Sequence, residues 1–305
     1  MSKRKSHRER TVGVWAKQKL DALESYLIAY QNVMSKQHFK TVFIDAFAGA
    51  GLYELRRGYE PAEDDYENLI DEDDVVSQKE FIEGSPRRAL RLQRKFHAYR
   101  FIDLDPDRVH QLEALAAEFE VPAAKAIQGD ANAEVQKIAA QFGSWKLRGF
   151  AFLDPYGAHL HWDTVRALAE TKKFDVIINC PIQMAIDRLV KRDGQISDTS
   201  LKQLDDFFGT REWYDVSYGT NDDLFGTGTR FKRADAAARQ LNLYVQRLRG
   251  IFPNVSRPSL VSNSRGHPLY YLIWAAEHGR GAPIAEHILG LGSKVTVPRR
   301  RTELK

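Results

Sequence analysis

The sequence predicts an α/β fold: a mostly parallel seven-stranded sheet with helices on both faces, a helical insert and a C-terminal antiparallel hairpin. Three observations predict it. Between residues 40 and 180, short runs rich in β-branched and aromatic residues alternate with amphipathic stretches. Those runs are apolar almost throughout, as expected of parallel strands covered on both faces. Near the end, two further runs flank the turn "SNSRGHP", the pattern of an antiparallel pair.

The elements follow in order. In residues 14–34, Leu20, Leu23, Leu27, Tyr30 and Met34 recur at three- to four-residue spacing, which predicts an amphipathic helix. After the polar linker "SKQHFK", "TVFIDAF" reads as a buried strand. The acidic segment 59–83, with "EDD" and "DEDD" inside it, has no clear period and reads as a surface loop. It ends at "GSPRRALRLQRKF", where Ser85 is expected to cap a helix and Pro86 to occupy its first turn. Then come strand "YRFIDLD", helix "PDRVHQLEALAAEF", strand "AAKAIQGD", helix "ANAEVQKIAAQF", strand "RGFAFLDPYG", helix "WDTVRALAETK" and strand "FDVIINCP". Residues 181–250 read as a helical insert and candidate substrate lid, with a polar stretch at 217–229. "VSRPSLV" and "LYYLIWAAE" then close the sheet ahead of a last helix. The expected organisation is a basic arm and helix (1–35), a core carrying the acidic loop (36–180), the insert (181–250) and a closing segment with a basic tail (251–305).

Composition narrows the function. An apolar content of 43% supports a packed core, and no segment reaches the ~20 apolar residues of a membrane span. The single cysteine, Cys180, excludes an internal disulfide and a cysteine-based zinc site; it reads as a small buried residue. A cytoplasmic protein without membrane attachment is expected. The net charge of +4 hides basic ends, Lys3 to Arg10 and Arg299 to Arg301, of the kind that touch DNA or RNA or serve as soluble arms.

The candidate site begins at "VFIDAFAGAGLYE", residues 42–54. A phosphate-binding P-loop needs Gly-Lys-Ser/Thr, which is missing. A dinucleotide fingerprint needs a small sixth residue, where Glu54 stands. S-adenosylmethionine (SAM) needs the close backbone approach that Gly49 and Gly51 permit, without a helix N-terminus reserved for a diphosphate. A plain strand-to-helix turn is the remaining reading. The next strand ends place Asp103 where a carboxylate can accept two ribose hydroxyls and Asp130 where it can meet an adenine amino group. Ligands of open α/β sheets bind at such strand ends, although each acid singly also fits a helix cap. The fourth strand ends in "LDPYG".

The order of these motifs resembles class I SAM-dependent methyltransferases, and hence a Rossmann-like class I methyltransferase fold. Through "KQKLDALESYL", "FIDAFAGAGLY", "GSPRRAL", "FIDLDP", "LDPYG", "FFGTREW" and "PLYYLIWAAEHGRG", residues 15–290 resemble the bacterial three-Cys-motif partner proteins (TcmP). The resemblance implies Asp45, Phe47, Gly49 and Gly51 around the methionine part of SAM, Asp103 for the ribose, Asp130 for the adenine, and a partner protein carrying the cysteine motif. The long interval from Asp45 to Asp103 departs from that pattern; the acidic segment and "GSPRRAL" fill it.

Asp154, Pro155 and Tyr156 fall where amino-methyltransferases of DNA carry a polar residue, two prolines and an aromatic ring; here one proline is present and Gly157 follows. In that motif the polar side chain positions an amine and the ring stacks on its base. In the alternative account Asp154 caps the next segment and Tyr156 packs there; "NCP" at 179–181 can line the same pocket, and Asn179 also reads as a turn residue. His159 and His161 read as surface or packing histidines, and no metal is expected. Trp145, Trp162, Trp213 and Trp274 are expected mainly to pack. The expected function is SAM-dependent methylation of a nucleic-acid base amine. The alternatives are a non-catalytic module binding nucleic acid or a partner protein on the same fold, and a methyltransferase for protein or small molecules.

Overall fold

The computed structural model describes residues 14–54, 81–121, 123–221, 229–263 and 266–292. The basic ends and most of the acidic segment lie outside them. The first half runs α1 (Val14–Met34), β1 (Lys40–Asp45), β2 (Leu52–Glu54), β3 (Phe81–Glu83), α2 (Ser85–Leu90), β4 (Ala98–Asp103), α3 (Pro106–Glu118), β5 (Ala124–Gln128), α4 (Ala131–Ala140), β6 (Leu147–Leu153), α5 (Trp162–Glu170) and β7 (Phe174–Cys180). A π-helical turn, Ile182–Ile186, leads to α6 (Asp187–Leu189), α7 (Asp198–Phe208), α8 (Glu212–Ser217), β8 (Tyr218–Asn221), β9 (Thr229–Lys232) and α9 (Ala236–Ile251). The chain closes with β10 (Asn254–Val255), β11 (Ser259–Ser262), β12 (Pro268–Ala276) and α10 (Ala282–Gly292).

The sheet order is β10-β12-β7-β6-β1-β4-β5, with β11 also paired to β12. Strands β1, β4, β5, β6 and β7 are mutually parallel, and β12 enters antiparallel against β7. The expected seven positions therefore hold eight strands, because β10 and β11 share the last one along β12. The break falls at Arg257-Pro258, where proline has no amide to donate. Ser256 mends it: its amide donates to the Trp274 carbonyl and its hydroxyl accepts from the Trp274 amide at 3.0 Å. This is the mostly parallel, Rossmann-like α/β sheet with an antiparallel C-terminal hairpin expected from the sequence.

Alternation along the strands divides the core in two. Phe43, Phe101, Phe150, Phe152 and Trp274 face a layer that includes Leu20, Leu23 and Leu27 of α1, Leu112 of α3 and Leu289 of α10. Their neighbours Ile44, Ile102, Ala151, Leu153 and Ile273 face Val135 of α4, Val165 of α5, Leu204 of α7 and Tyr244 of α9. The first face is aromatic: Phe43 and Phe150 stack with centroids 6.0 Å apart. Tyr26 accepts from the Trp274 indole at 2.6 Å and donates to Asp175 at 2.9 Å, tying α1 to the final strand.

Three expectations change. Ser85 does not cap α2; Gly84 holds the cap position, so Ser85 is already the first helical residue and its side chain turns inward. The segment 181–250 is of two kinds, since α9 belongs to the covering layer whereas β8 and β9, at the two ends of the polar stretch, pair with each other. Trp162, Trp213 and Trp274 are buried, but Trp145 is 70% exposed. Cys180 is buried at the end of β7. No helix among the described residues is long and apolar enough to cross a membrane.

Gly149 in β6 lies under Phe174, whose ring would stand 2.1 Å from an added Cβ, whereas a Cβ at Gly143 meets nothing within 4 Å. Chemical denaturation should show Gly149→Ala less stable by about 1–3 kcal/mol and Gly143→Ala within about 0.5 kcal/mol of the parent.

Candidate active site

Strand order reverses beside β1: β4 and β5 extend to one side of it, β6 and β7 to the other. Crevices at the carboxyl ends of strands open at such switch points. β1 ends at Asp45, and Asp154 follows β6, the strand paired with β1. The topology itself thus puts two carboxylates side by side.

Asp45 is fully buried. Among the described residues neither of its oxygens has a hydrogen-bond partner, and Asn179 Oδ1 at the end of β7 and Gln183 Oε1 just after it are likewise unpartnered. Burial raises the Asp45 carboxyl to about 7; the nearby Ser85 hydroxyl opposes the rise and the Asp154 charge adds to it. The Ser85 and Phe47 groups soften the field without reaching hydrogen-bond geometry, so both oxygens remain acceptors in want of a donor.

Asp154 has its partners. Lys19 Nζ donates to Oδ2 at 2.5 Å, and Asn179 Nδ2 donates to Oδ1 at 2.7 Å. The side chains of Lys19 and Asp154 are only 10% and 20% exposed, so this pair is little screened by solvent. The same ammonium lies 5.5 Å from the ring centroid of buried Tyr270. Lys19 is held there because α1 buries Leu20 and Leu23 against the sheet and is clamped by α2, Arg88 reaching Asp21 at 2.6 Å and Glu24 at 3.0 Å. Sequence reasoning missed Lys19, and it valued Asn179 as a turn residue where its amide in fact orients Asp154. A carboxylate has about four lone-pair sites, so Asp154 retains acceptor capacity beyond these two donors.

The glycine turn is built as the motif requires. Gly49 and Gly51 have φ of 64° and 75°, values open chiefly to glycine, and a Cβ on Gly51 would stand 2.9 Å from Leu115. The turn runs into the β2–β3 pair before α2 begins, which explains the long interval to Asp103. Asp103 braces it: Oδ2 accepts from the Gly49 amide and Oδ1 from the Asp105 amide, each at 2.9 Å. Phe47 is half-buried beside the turn. Asp130 caps α4 by accepting from the Ala133 amide at 3.0 Å and is otherwise exposed. Asp105 caps α3.

Beyond Asp154, Pro155 is buried, Tyr156 is 47% exposed and Gly157 turns the chain at φ 66°. Asn132 pins the following loop, donating to the His159 carbonyl and accepting from the His161 amide, both at 2.8 Å. His159 is exposed, and His161 lies 3.9 Å from Asp206.

No protein-family model matches the chain, and no curated protein matches it by sequence. Its likenesses are in shape. Protein LPL1258 from Legionella pneumophila, of the family model DUF519, superimposes with a TM-score of 0.52 at 13% identity, over 94% of this chain and 95% of that one. Spermidine synthase from Thermotoga maritima gives 0.40 at 10% identity, over 88% of this chain and 62% of that one. The bifunctional kinase-methyltransferase WbdD gives 0.40 at 12% identity, over 86% of this chain and 40% of that one. At these identities the likeness concerns the fold.

The raised carboxyl of Asp45 has a readable consequence. Its unfolded value is near 3.9 and its folded value about 7, so the folded state binds the extra proton. That stabilisation is complete below about pH 4 and is lost as pH rises through 7. Asp45→Asn should therefore raise ligand-free stability by on the order of 2 kcal/mol at pH 8 and by far less at pH 4, read as denaturant midpoints across pH.

Proposed function

We propose that this chain is a SAM-dependent methyltransferase whose acceptor is an amino group of a nucleic-acid base. The observation that carries the reading is the group of buried acceptors that have no hydrogen-bond partner among the described residues, both oxygens of Asp45 and Oδ1 of Asn179, next to an oriented Asp154. Buried acceptors cost free energy until a donor meets them. A ligand that brings ammonium and amino N–H groups supplies such donors, and ligands of open α/β sheets bind at strand ends of this kind.

The chain's own residues divide the work. Asp45 faces the ammonium of the cofactor's amino-acid end, while Gly49 and Gly51 keep the backbone close and Phe47 flanks it. Asp103, already fixed by two amides, has lone pairs left for ribose hydroxyls. Asp130 lies at the adenine end. The cofactor supplies an electrophilic methyl group. Asp154 accepts from the target amine and turns its lone pair toward that group, a positioning role; Pro155 fixes the turn, and the exposed ring of Tyr156 offers a stacking face to a base drawn out of its duplex. The resemblance to three-Cys-motif partner proteins adds a cysteine-motif protein as a partner, and the composition a cytoplasmic setting.

One observation favours a second reading. The Lys19 ammonium already occupies Asp154 where an amine would bind, as it could in a non-catalytic module for nucleic acid or a partner protein. Calorimetric titration with SAM and its demethylated product separates the two. On the first reading both bind, Asp103→Ala weakens binding at least about tenfold, or about 1.4 kcal/mol, and Asp154→Ala keeps cofactor affinity but lowers methyl transfer about a hundredfold. Absence of binding by the parent chain, with salt-sensitive nucleic-acid binding retained, would establish the second.

A further inference from the structure

The opposite end of the sheet carries a feature that the methyl-transfer reading does not use. There the parallel strands begin, and neighbouring strands lie about 4.8 Å apart. Lys36 and Lys40 precede and open β1, Lys146 and Arg148 flank the start of β6, and Lys172 precedes β7. The Lys40 amide donates to the Lys146 carbonyl at 2.8 Å, so the first two starts are locked together. Lys36, Lys40, Lys146 and Lys172 are exposed. None of the four lysines forms an ion pair among the described residues, whereas Arg87, Arg211, Lys232 and Arg239 elsewhere all do; Arg148 donates to the Trp145 and Leu147 carbonyls and lies in the field of the buried Asp175 carboxylate. Cations at strand spacing fall within a Debye length of ~8 Å, so their fields add and they repel one another until an anion covers them.

In the middle of this row stands Trp145, 70% exposed. The Lys146 ammonium lies 5.4 Å from its ring centroid, and the Arg148 guanidinium lies 3.9 Å from that of Phe39. An exposed indole among lysines that have no ion pair among the described residues combines the two elements of a single-strand platform: a flat π-face on which a base stacks and positive charge that follows the phosphates. A smooth acidic surface would meet the charges but leave the indole bare.

We infer that this surface, the starts of β1, β6 and β7 with Trp145, binds single-stranded nucleic acid. It is a strand length, about 20 Å, from Asp45 and Asp154, so it holds nucleic acid away from those carboxylates. The inference stands whether or not the chain transfers methyl groups.

Fluorescence anisotropy of the full chain tests it, with labelled single strands of about 12 nucleotides, a duplex of the same sequence and a polyglutamate peptide as probes. The variants are Trp145→Ala, which removes an exposed side chain, and the double charge reversal Lys40→Glu/Lys146→Glu, each checked for parental circular dichroism. The single strand should bind most tightly of the three probes. Trp145→Ala should weaken it about five- to a hundredfold, the range for losing one stacked base. The double reversal should weaken it more than tenfold and lower the salt slope by about 1.4, for two phosphates at about 0.7 each. Equal single-strand affinity in parent and variants, or tighter binding of duplex or polyglutamate, overturns the inference. SAM titration of the same variants reads the far end of the sheet separately, so failure here and failure of the methyltransferase reading are distinguishable.

Discussion

The buried pair of Lys19 and Asp154 joins a helix at the start of the chain to a strand end 135 residues later. Its geometry requires several other features at once. α1 must lie against the aromatic face of the sheet, or the ammonium cannot reach Asp154. α2 must hold α1 through Arg88, and β7 must bring Asn179 to the second oxygen. Removing one partner of such a pair leaves a charge without compensation in a poorly hydrated place, which costs more than the intact pair contributes. The pair therefore reports whether the N-terminal helix and the upper edge of the sheet are in register.

Around that pair, partnered and unpartnered groups are sorted. Asp103 and Asp130 accept backbone amides and so give the turn and α4 their shape. Asp154 is held from both sides. Asp45, the deepest of the four, accepts from nothing among the described residues. Its neutral form is favoured by burial, whereas a bound cation would favour the charged form. Structure and ligand affinity thus pull its protonation in opposite directions, a frequent condition of binding sites.

The strands and the four acids were legible because both follow from local pattern. A buried parallel strand writes itself as an apolar run, and the residue ending it is often an acid before a turn. Lys19 carried no such mark: it lies near Lys17 in an amphipathic helix, and only the fold reveals that its side chain meets Asp154. Ser85 was misread because a serine before proline resembles a cap, yet Gly84 supplies the extended backbone there. Trp145 was misread because large aromatics usually pack, and no local signal distinguishes it from Trp162. The β8–β9 pair was hidden by its Gly- and Thr-rich composition, since so short a strand, with Tyr218 its one large buried side chain, is too brief to write a period.

The placement of β12 also constrains how the molecule is made. This strand comes almost last in the chain but lies inside the sheet, between β7 and the β10–β11 edge. Its Trp274 donates to Tyr26 across 248 residues. While the chain is being synthesised, β7 keeps an open edge and Tyr26 lacks its indole partner until residue 276 has left the ribosome tunnel. Contacts so distant in sequence slow folding, and an uncovered apolar strand attracts other chains meanwhile. A ribosome that stalls in α9 would hold out a sheet with one sticky edge. Clones shortened at the C-terminus should therefore pass into inclusion bodies rather than accumulate as a smaller soluble core.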